Sequence, residues 1–213
     1  MADAGAYLII RSSAPDIRFR EFRDKVSAQH AVIGSARLHE VEALEPGTMV
    51  AHTLVLPFAD KDAARAAWAS MPSDIIAEPA APLVLLTGAI PPEGFPDPDI
   101  PTKANAAECE DDGPVMLLIE GTGTDEDRMN QYRGVLLPLM FKLNSYYTVF
   151  DLGGDIEVLS GDWDEAIFAI SRWPSRAAAH EFWLCDRYQA DAIPIRLHHG
   201  SFQVALIPET SNG

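Results

Sequence analysis

Apolar and polar positions along the chain fall into a pattern that reads strand, helix, strand, strand, helix, strand, and then reads so again. Ala6 to Ile10 is a continuous apolar run of the kind a buried strand shows. Pro15 opens a helix over Asp16 to His30, with Ile17, Phe19, Phe22 and Val26 on one face. Ser35 to Leu44 alternates and meets Glu45-Pro46-Gly47, a turn signal. Thr48 to Phe58 is then expected to return beside it as a hairpin. Asp60 is placed to cap an alanine-rich helix from Lys61 to Ser70, and Pro82 to Ala89 closes the unit as a fourth strand.

The second unit opens with the strand Val115 to Glu120. Thr124 and Asp125 stand where a cap is needed for a helix from Glu126 to Leu143, which Pro138 should kink or split. Strands follow over Tyr146 to Asp151, Ile156 to Leu159 and Glu165 to Ser171, with a turn or bulge at Gly153-Gly154. Arg176 to Tyr188 reads as a helix and Ser201 to Ile207 as the last strand.

Self-similarity at domain length implies a duplicated fold. Each unit should form an antiparallel sheet with both helices on one face, leaving the other face to be covered. The simplest cover is the sheet of the other unit. The prediction is an α+β chain of two tandem ferredoxin-like repeats, residues 1–90 and 114–213, forming a pseudo-dimeric α/β barrel. Residues 91–113, rich in proline and acidic side chains, read as an extended solvated connector, with folding over a pocket mouth as the alternative.

Charge narrows the partners. The 213 residues carry a formal net charge of −16, which repels phosphate backbones and anionic lipids and argues against nucleic acid or membrane partners. The two cysteines, Cys109 and Cys185, lack CxxC spacing, so neither a disulfide framework nor a zinc site is expected. No basic segment followed by a long apolar run opens the chain, and no apolar stretch is long enough for a bilayer. A cytoplasmic protein with a small-molecule ligand and a possible homodimeric state is the expectation.

Three phrases of the second unit carry a resemblance: GDIEVLSGDW from Gly154 to Trp163, FAISRWPSRAAAHEFW from Phe168 to Trp183, and DRYQADAI from Asp186 to Ile193. They resemble a small uncharacterised bacterial family of the dimeric α/β-barrel, ferredoxin-like superfamily, over residues 115–208. Residues 6–89 are similar to the superfamily by pattern alone. The His-Gly-Gly stretch and the Arg usual in the small family are replaced here by Leu143-Asn144-Ser145-Tyr146 and Leu152-Gly153-Gly154. The resemblance implies a pocket between each sheet and its helices. The superfamily includes cofactor-free cyclases, lactone isomerases, monooxygenases, dehydratases and haem enzymes, and fold does not choose among them.

Candidate chemistry is densest in the first unit. With a hairpin turning at Pro46-Gly47, Arg37, His39 and His52 would share a sheet face, near Tyr7 and Arg11 on the first strand. Imidazoles suit proton transfer near neutrality, arginine an anion, and tyrosine a developing oxyanion. His39 and His52 without a third ligand make a weak metal signal. In the second unit Tyr147 and Asp151 would share a face, with Arg133 on the preceding helix. Trp163 and Trp183 could stack on an aromatic ligand. These residues suggest a cofactor-independent lyase or isomerase acting on an aromatic or phenolic catabolite, with His52, His39, Arg37, Tyr7 and Tyr147 catalytic. Arg11, Arg133, Asp151, Trp163 and Trp183 would hold the substrate. The alternatives are a non-catalytic small-molecule-binding or assembly protein, and a haem or oxygen-dependent enzyme.

Overall fold

A computed structural model describes residues 4–72, 81–107, 113–123, 125–197 and 200–210. The elements run β1 (Ala6–Ser12), α1 (Asp16–Ser27), β2 (Gly34–Ala36), β3 (Glu42–Ala43), β4 (His52–Phe58), α2 (Lys61–Ser70), β5 (Leu83–Gly88), β6 (Val115–Gly121), α3 (Glu126–Lys142), β7 (Tyr146–Asp151), β8 (Glu157–Ser160), β9 (Ile167–Trp173), α4 (Arg176–Leu184), α5 (Ile193–Leu197) and β10 (Phe202–Pro208). They build two five-stranded sheets, ordered β2-β4-β1-β5-β8 and β3-β10-β6-β9-β7, with every pair antiparallel.

The sheets pack face to face with helices outside. On β1, Ala6, Leu8 and Ile10 meet Phe19, Phe22 and Val26 of α1 and Ala64 and Ala67 of α2. The alternate residues Tyr7 and Ile9 meet Met116, Leu118, Phe168, Ile170 and Ile207 of the other sheet. Both faces are therefore covered, which is why this strand reads as an unbroken apolar run rather than an alternation. The second sheet buries Leu117, Ala169, Val204 and Leu206 against Tyr132, Leu136, Phe182 and Trp183 on its own helices.

Each half lends a short strand to the other. β3 pairs with β10, and β8 pairs with β5. Ion pairs hold both arms on the helix they cross. Glu42 of β3 meets Arg176 and, at 2.8 Å, His180 of α4. Glu157 of β8 meets Arg65 at 2.7 Å and Lys61 at 3.7 Å on α2. In both helices the two basic residues lie four apart, so they share a face.

The expected hairpin is the main correction. β2 ends at Ala36, a 3-10 turn spans Leu38–Glu40, and the chain then leaves the first sheet to place β3 on the second. The partner of His52 across the β1–β4 pair is Ser12, and residues 37–41 do not lie beside it as a hairpin strand. Pro138 does not split its helix: α3 runs through it. The helix expected to reach Tyr188 stops at Leu184, and a π turn at Tyr188–Ala192 leads into α5.

The proline-rich segment is not a free connector. Ile100 is 1% exposed in the core of the second half. Thr102 bridges Tyr147 in parallel, the Tyr147 N–H donates to Pro101 O at 2.8 Å, and Arg133 pairs with Asp97 at 2.6 Å. The segment thus straps the open edge of β7, covering backbone groups that an edge strand would leave unpaired. Cys109, Thr124, His198 and His199 lie outside the described residues.

Candidate functional site

One concavity lies between the sheets, at the end where their rims approach. The Ile90 N–H donates to Thr148 O at 2.9 Å on one side, and the Thr210 N–H to Ile33 O at 3.0 Å on the other. Between them is a cavity of about 230 Å³. Tyr7 and Pro57 line it from the first sheet, Met116, Tyr146, Arg172 and Glu209 from the second, and Pro91, Pro92 and Lys103 from the strap.

A β-bulge decides which tyrosine faces this space. The β7–β9 register pairs Tyr146 with Arg172 and Tyr147 with Ser171, then slips so that Val149 faces Ile170. Ile170 and Phe168 belong to the layer between the sheets, so Tyr146 and Arg172 point there. Tyr147 belongs to the helix-side core, where burial pushes its phenol well above the ordinary value. It reaches the cavity wall from behind. Asp151 lies opposite Phe168, so it shares the Tyr146 side, not the Tyr147 side expected from strict alternation. It is spent on the Gly153 N–H at 2.9 Å.

Arg172 organises the polar wall. Its Nε donates to Glu209 at 2.6 Å, and its guanidinium lies 5.9 Å from the centre of the Tyr146 ring. Burial raises the Glu209 carboxyl above its usual range, and the Arg172 charge and hydrogen bond only partly offset this. Burial also raises the Tyr146 hydroxyl, opposed by the positive charges of Arg172 and Lys103. The result is a carboxyl displaced toward neutrality beside a guanidinium and a phenol, the environment of a group able to take and return a proton.

The structure does not bring Arg37, His39 and His52 together with Tyr7. His52 faces α1, on the opposite side of the sheet from Tyr7 and Arg11, because its cross-strand partner Ser12 faces that way. Its ring stacks on Phe19 at 4.4 Å, its Nδ1 accepts from the Leu38 N–H at 3.0 Å, and its Nε2 meets Asp16 at 3.0 Å. Burial lowers its pKa, with the Asp16 charge opposing, so at neutral pH it is an uncharged clamp for the 3-10 turn. His39 is exposed, and Arg37 pairs with Glu40 at 2.6 Å.

Arg11 occupies the far end of the layer between the sheets. It forms a buried ion pair with Glu120, which also accepts from Trp163 Nε1 at 3.0 Å. This network ties the sheets together and lines none of the cavities described here. Arg133, bonded to Asp97, borders two more open grooves outside the strap.

The space between the second sheet and its helices, where the resemblance places a pocket, is nearly filled. About 10 Å³ is left there, room for one water at most. Trp183 packs 5.1 Å from the guanidinium of Arg196, which pairs with Glu45 at 2.6 Å, while Tyr132 and Tyr188 share a hydrogen bond of 3.0 Å. Among the described residues no group of three or more His, Cys, Asp or Glu side chains is placed for a metal ion. Among the described residues no histidine or cysteine lines these cavities, and both ring nitrogens of His52 are engaged.

Arg172 and Glu209 were not singled out in the sequence. A signal exists for the first: Arg172 interrupts the apolar run from Ile167 to Trp173, and a cation in a strand covered on both faces must find a partner. Glu209 and Lys103 follow strand ends and turns, where charge is ordinary.

Comparison with known proteins agrees with this architecture. The family described as Domain of unknown function (DUF1330) matches residues 115–210. No curated protein sequence matches the chain. A variant chlorite dismutase from Candidatus Nitrospira defluvii superposes with a TM-score of 0.54 at 10% identity, over 99% of this chain and 93% of that one. A second variant of that enzyme gives 0.52 at 10% identity, again over 99% and 93%. An anthrone oxidase-like protein gives 0.48 at 10% identity, over 98% and 92%. The fold is α+β, two antiparallel sheets flanked by helices, similar to dimeric α/β barrels of the ferredoxin-like superfamily. No helix among the described residues is long and apolar enough to cross a membrane.

Proposed function

We propose that the chain is two tandem ferredoxin-like repeats folded as a pseudo-dimeric barrel, and that it is a cofactor-independent lyase or isomerase acting on a small aromatic or phenolic compound in the cavity between the sheets. The strand order supports the first part. Without the lent strands, β2-β4-β1-β5 and β7-β9-β6-β10 follow one plan. The convergence of Tyr7, Tyr146, Arg172 and Glu209 on one cavity carries the second.

In this reading Glu209 is the base. Its Oε2 is held by Arg172, which orients the carboxylate and leaves Oε1 to accept a proton from the substrate. A carboxyl raised by burial is a better base than a solvated one and returns the proton more readily near neutrality. The Tyr146 hydroxyl and the Arg172 guanidinium stand beside it to stabilise an enolate or phenolate oxygen. Tyr7 approaches from the facing sheet. His52 and His39, the proton carriers expected from sequence, give way to Glu209.

The test is deuterium exchange. Phenols and carbon acids with one aromatic ring are incubated with the protein in heavy water and followed by NMR. Exchange above background is expected for at least one compound, with a loss of about 10²–10⁴-fold in Glu209→Gln. Ligands that raise the melting temperature by mass action with exchange left at background would replace catalysis with simple binding.

A further inference from the structure

We infer that Met116 is the residue that sets the size of the ligand: its thioether closes the apolar end of the cavity between the sheets, so that a phenol of one ring fits and a fused two-ring phenol does not. The inference rests on that cavity being the ligand site. It starts from the register of the strands. Across the second sheet Tyr146 pairs with Arg172, Arg172 with Met116, and Met116 with Ile207. Cross-strand partners share a face, so these side chains form one row facing the first sheet. On that sheet Tyr7 stands beside its own partner, Pro57. Tyr146, Arg172 and Met116 line the cavity from one side, Tyr7 and Pro57 from the other.

The row changes character in one step. Tyr146 and Arg172 offer a hydroxyl and a guanidinium, whereas Met116 and Ile207 offer apolar atoms. Neighbouring strands lie about 4.8 Å apart, so the polar wall and the thioether are separated by about one ring along the sheet. A phenol with its hydroxyl at Tyr146 and Arg172 would lay that ring over Met116. A second ring would have to reach on toward Ile207, which is fully buried one strand beyond. Volume agrees. The cavity is about 230 Å³, between the roughly 150 Å³ that accepts a benzene and the roughly 300 Å³ at which drug-sized sites begin.

Methionine is an adaptable side chain, and a thioether free to swing aside would limit nothing. Here it is backed on the side away from Arg172. A Cβ added at Gly34 would stand 3.1 Å from Met116 Sδ, 3.2 Å from Ile207 Cδ1 and 3.3 Å from Val55 Cβ. The sulfur is thus seated against the backbone of β2, in a niche that a glycine leaves open and the neighbouring side chains fill. Gly34 is itself fixed, because it bridges Glu209 and the adjacent Ile33 O accepts from the Thr210 N–H at 3.0 Å. For β2 to give way, the strand end that carries Glu209 would have to move with it.

Phenol and 2-naphthol share a hydroxyl and differ by one fused ring, so titration calorimetry of both is the test. Burial alone favours the larger compound. Phenol is nevertheless expected to bind the unaltered protein about tenfold tighter, since small changes in pocket space are worth that much. Met116→Ala should reverse the order, and Met116→Leu, of similar volume, should keep it. Gly34→Ala, which drives the sulfur toward Arg172, should weaken phenol by about tenfold. Tighter binding of 2-naphthol to the unaltered protein, or an order unmoved by Met116→Ala, overturns the inference. Should Met116→Ala not fold, Gly34→Ala decides, and an unchanged phenol affinity there overturns it equally. Binding of neither compound overturns the cavity as a site for phenols, and this inference with it. The expected order of binding with deuterium exchange left at background supports the inference and removes only the catalysis.

Discussion

Replacing Glu120 by Gln isolates the contribution of the ion pair between the sheets. The Arg11 side chain is 2% exposed and that of Glu120 4%, so neither charge has water to fall back on. Arg11 also donates to Met49 O at 2.7 Å, while its Nε has no hydrogen-bond partner among the described residues. Glutamine keeps the size and one acceptor, so no cavity complicates the result, but the guanidinium loses its counter-charge. Breaking a buried pair in this way costs about 3–5 kcal/mol. At about 2–4 °C per kcal/mol for a chain of this length, the apparent melting temperature should fall by about 6–20 °C. Thermal unfolding followed by circular dichroism measures it. The double variant Arg11→Met, Glu120→Leu removes both charges and fills the space with apolar atoms, so it should be less destabilised than Glu120→Gln alone. A fall of under 2 °C in Glu120→Gln, or a double variant worse than the single one, would refute the claim that this pair is held desolvated.

Two further outcomes follow from other parts of the molecule. Ile100→Ala should destabilise by about 2–4 kcal/mol in urea unfolding, because the strap is anchored in a core; a solvated connector would show almost no change. Glu165 has a buried Oε2 without a hydrogen-bond partner among the described residues, and burial raises its carboxyl above the usual range. Its folded state therefore binds the proton more tightly than the unfolded chain, so stability should be lost as pH rises from the ordinary carboxylate value through the raised one. Glu165→Gln should melt higher than the unaltered protein at pH 7, with the difference shrinking toward pH 4.

The α+β class and most of the strands and helices were legible because burial on both faces leaves a strong mark. The runs at Ala6 to Ile10 and Val115 to Glu120 have few polar residues, and α1 and α2 show a clear apolar stripe. The site was not legible, for three physical reasons. Residues 37–43 alternate like a strand, but pair with a sheet that sequence cannot see, which scattered Arg37, His39 and His52. One slipped residue near Thr148 exchanged the faces of Tyr146 and Tyr147, and a bulge leaves no local signature in so apolar a strand. The strap looks solvated by composition, since its anchors are few: Ile100, Thr102 and the Arg133–Asp97 pair.

The exchange of β3 and β8 also sets the order in which the molecule can be completed. During synthesis β5 emerges ending at Gly88, but the strand that closes its edge ends at Ser160. At about 5–20 residues per second, the roughly 70 residues between them take about 4–14 s to make. Through that interval Ile9, Val55 and Leu85 have their eventual partners still on the ribosome or not yet translated. The nascent chain thus has a window of several seconds in which its first sheet is open at one edge and one face, and chaperone binding or aggregation would compete with folding there.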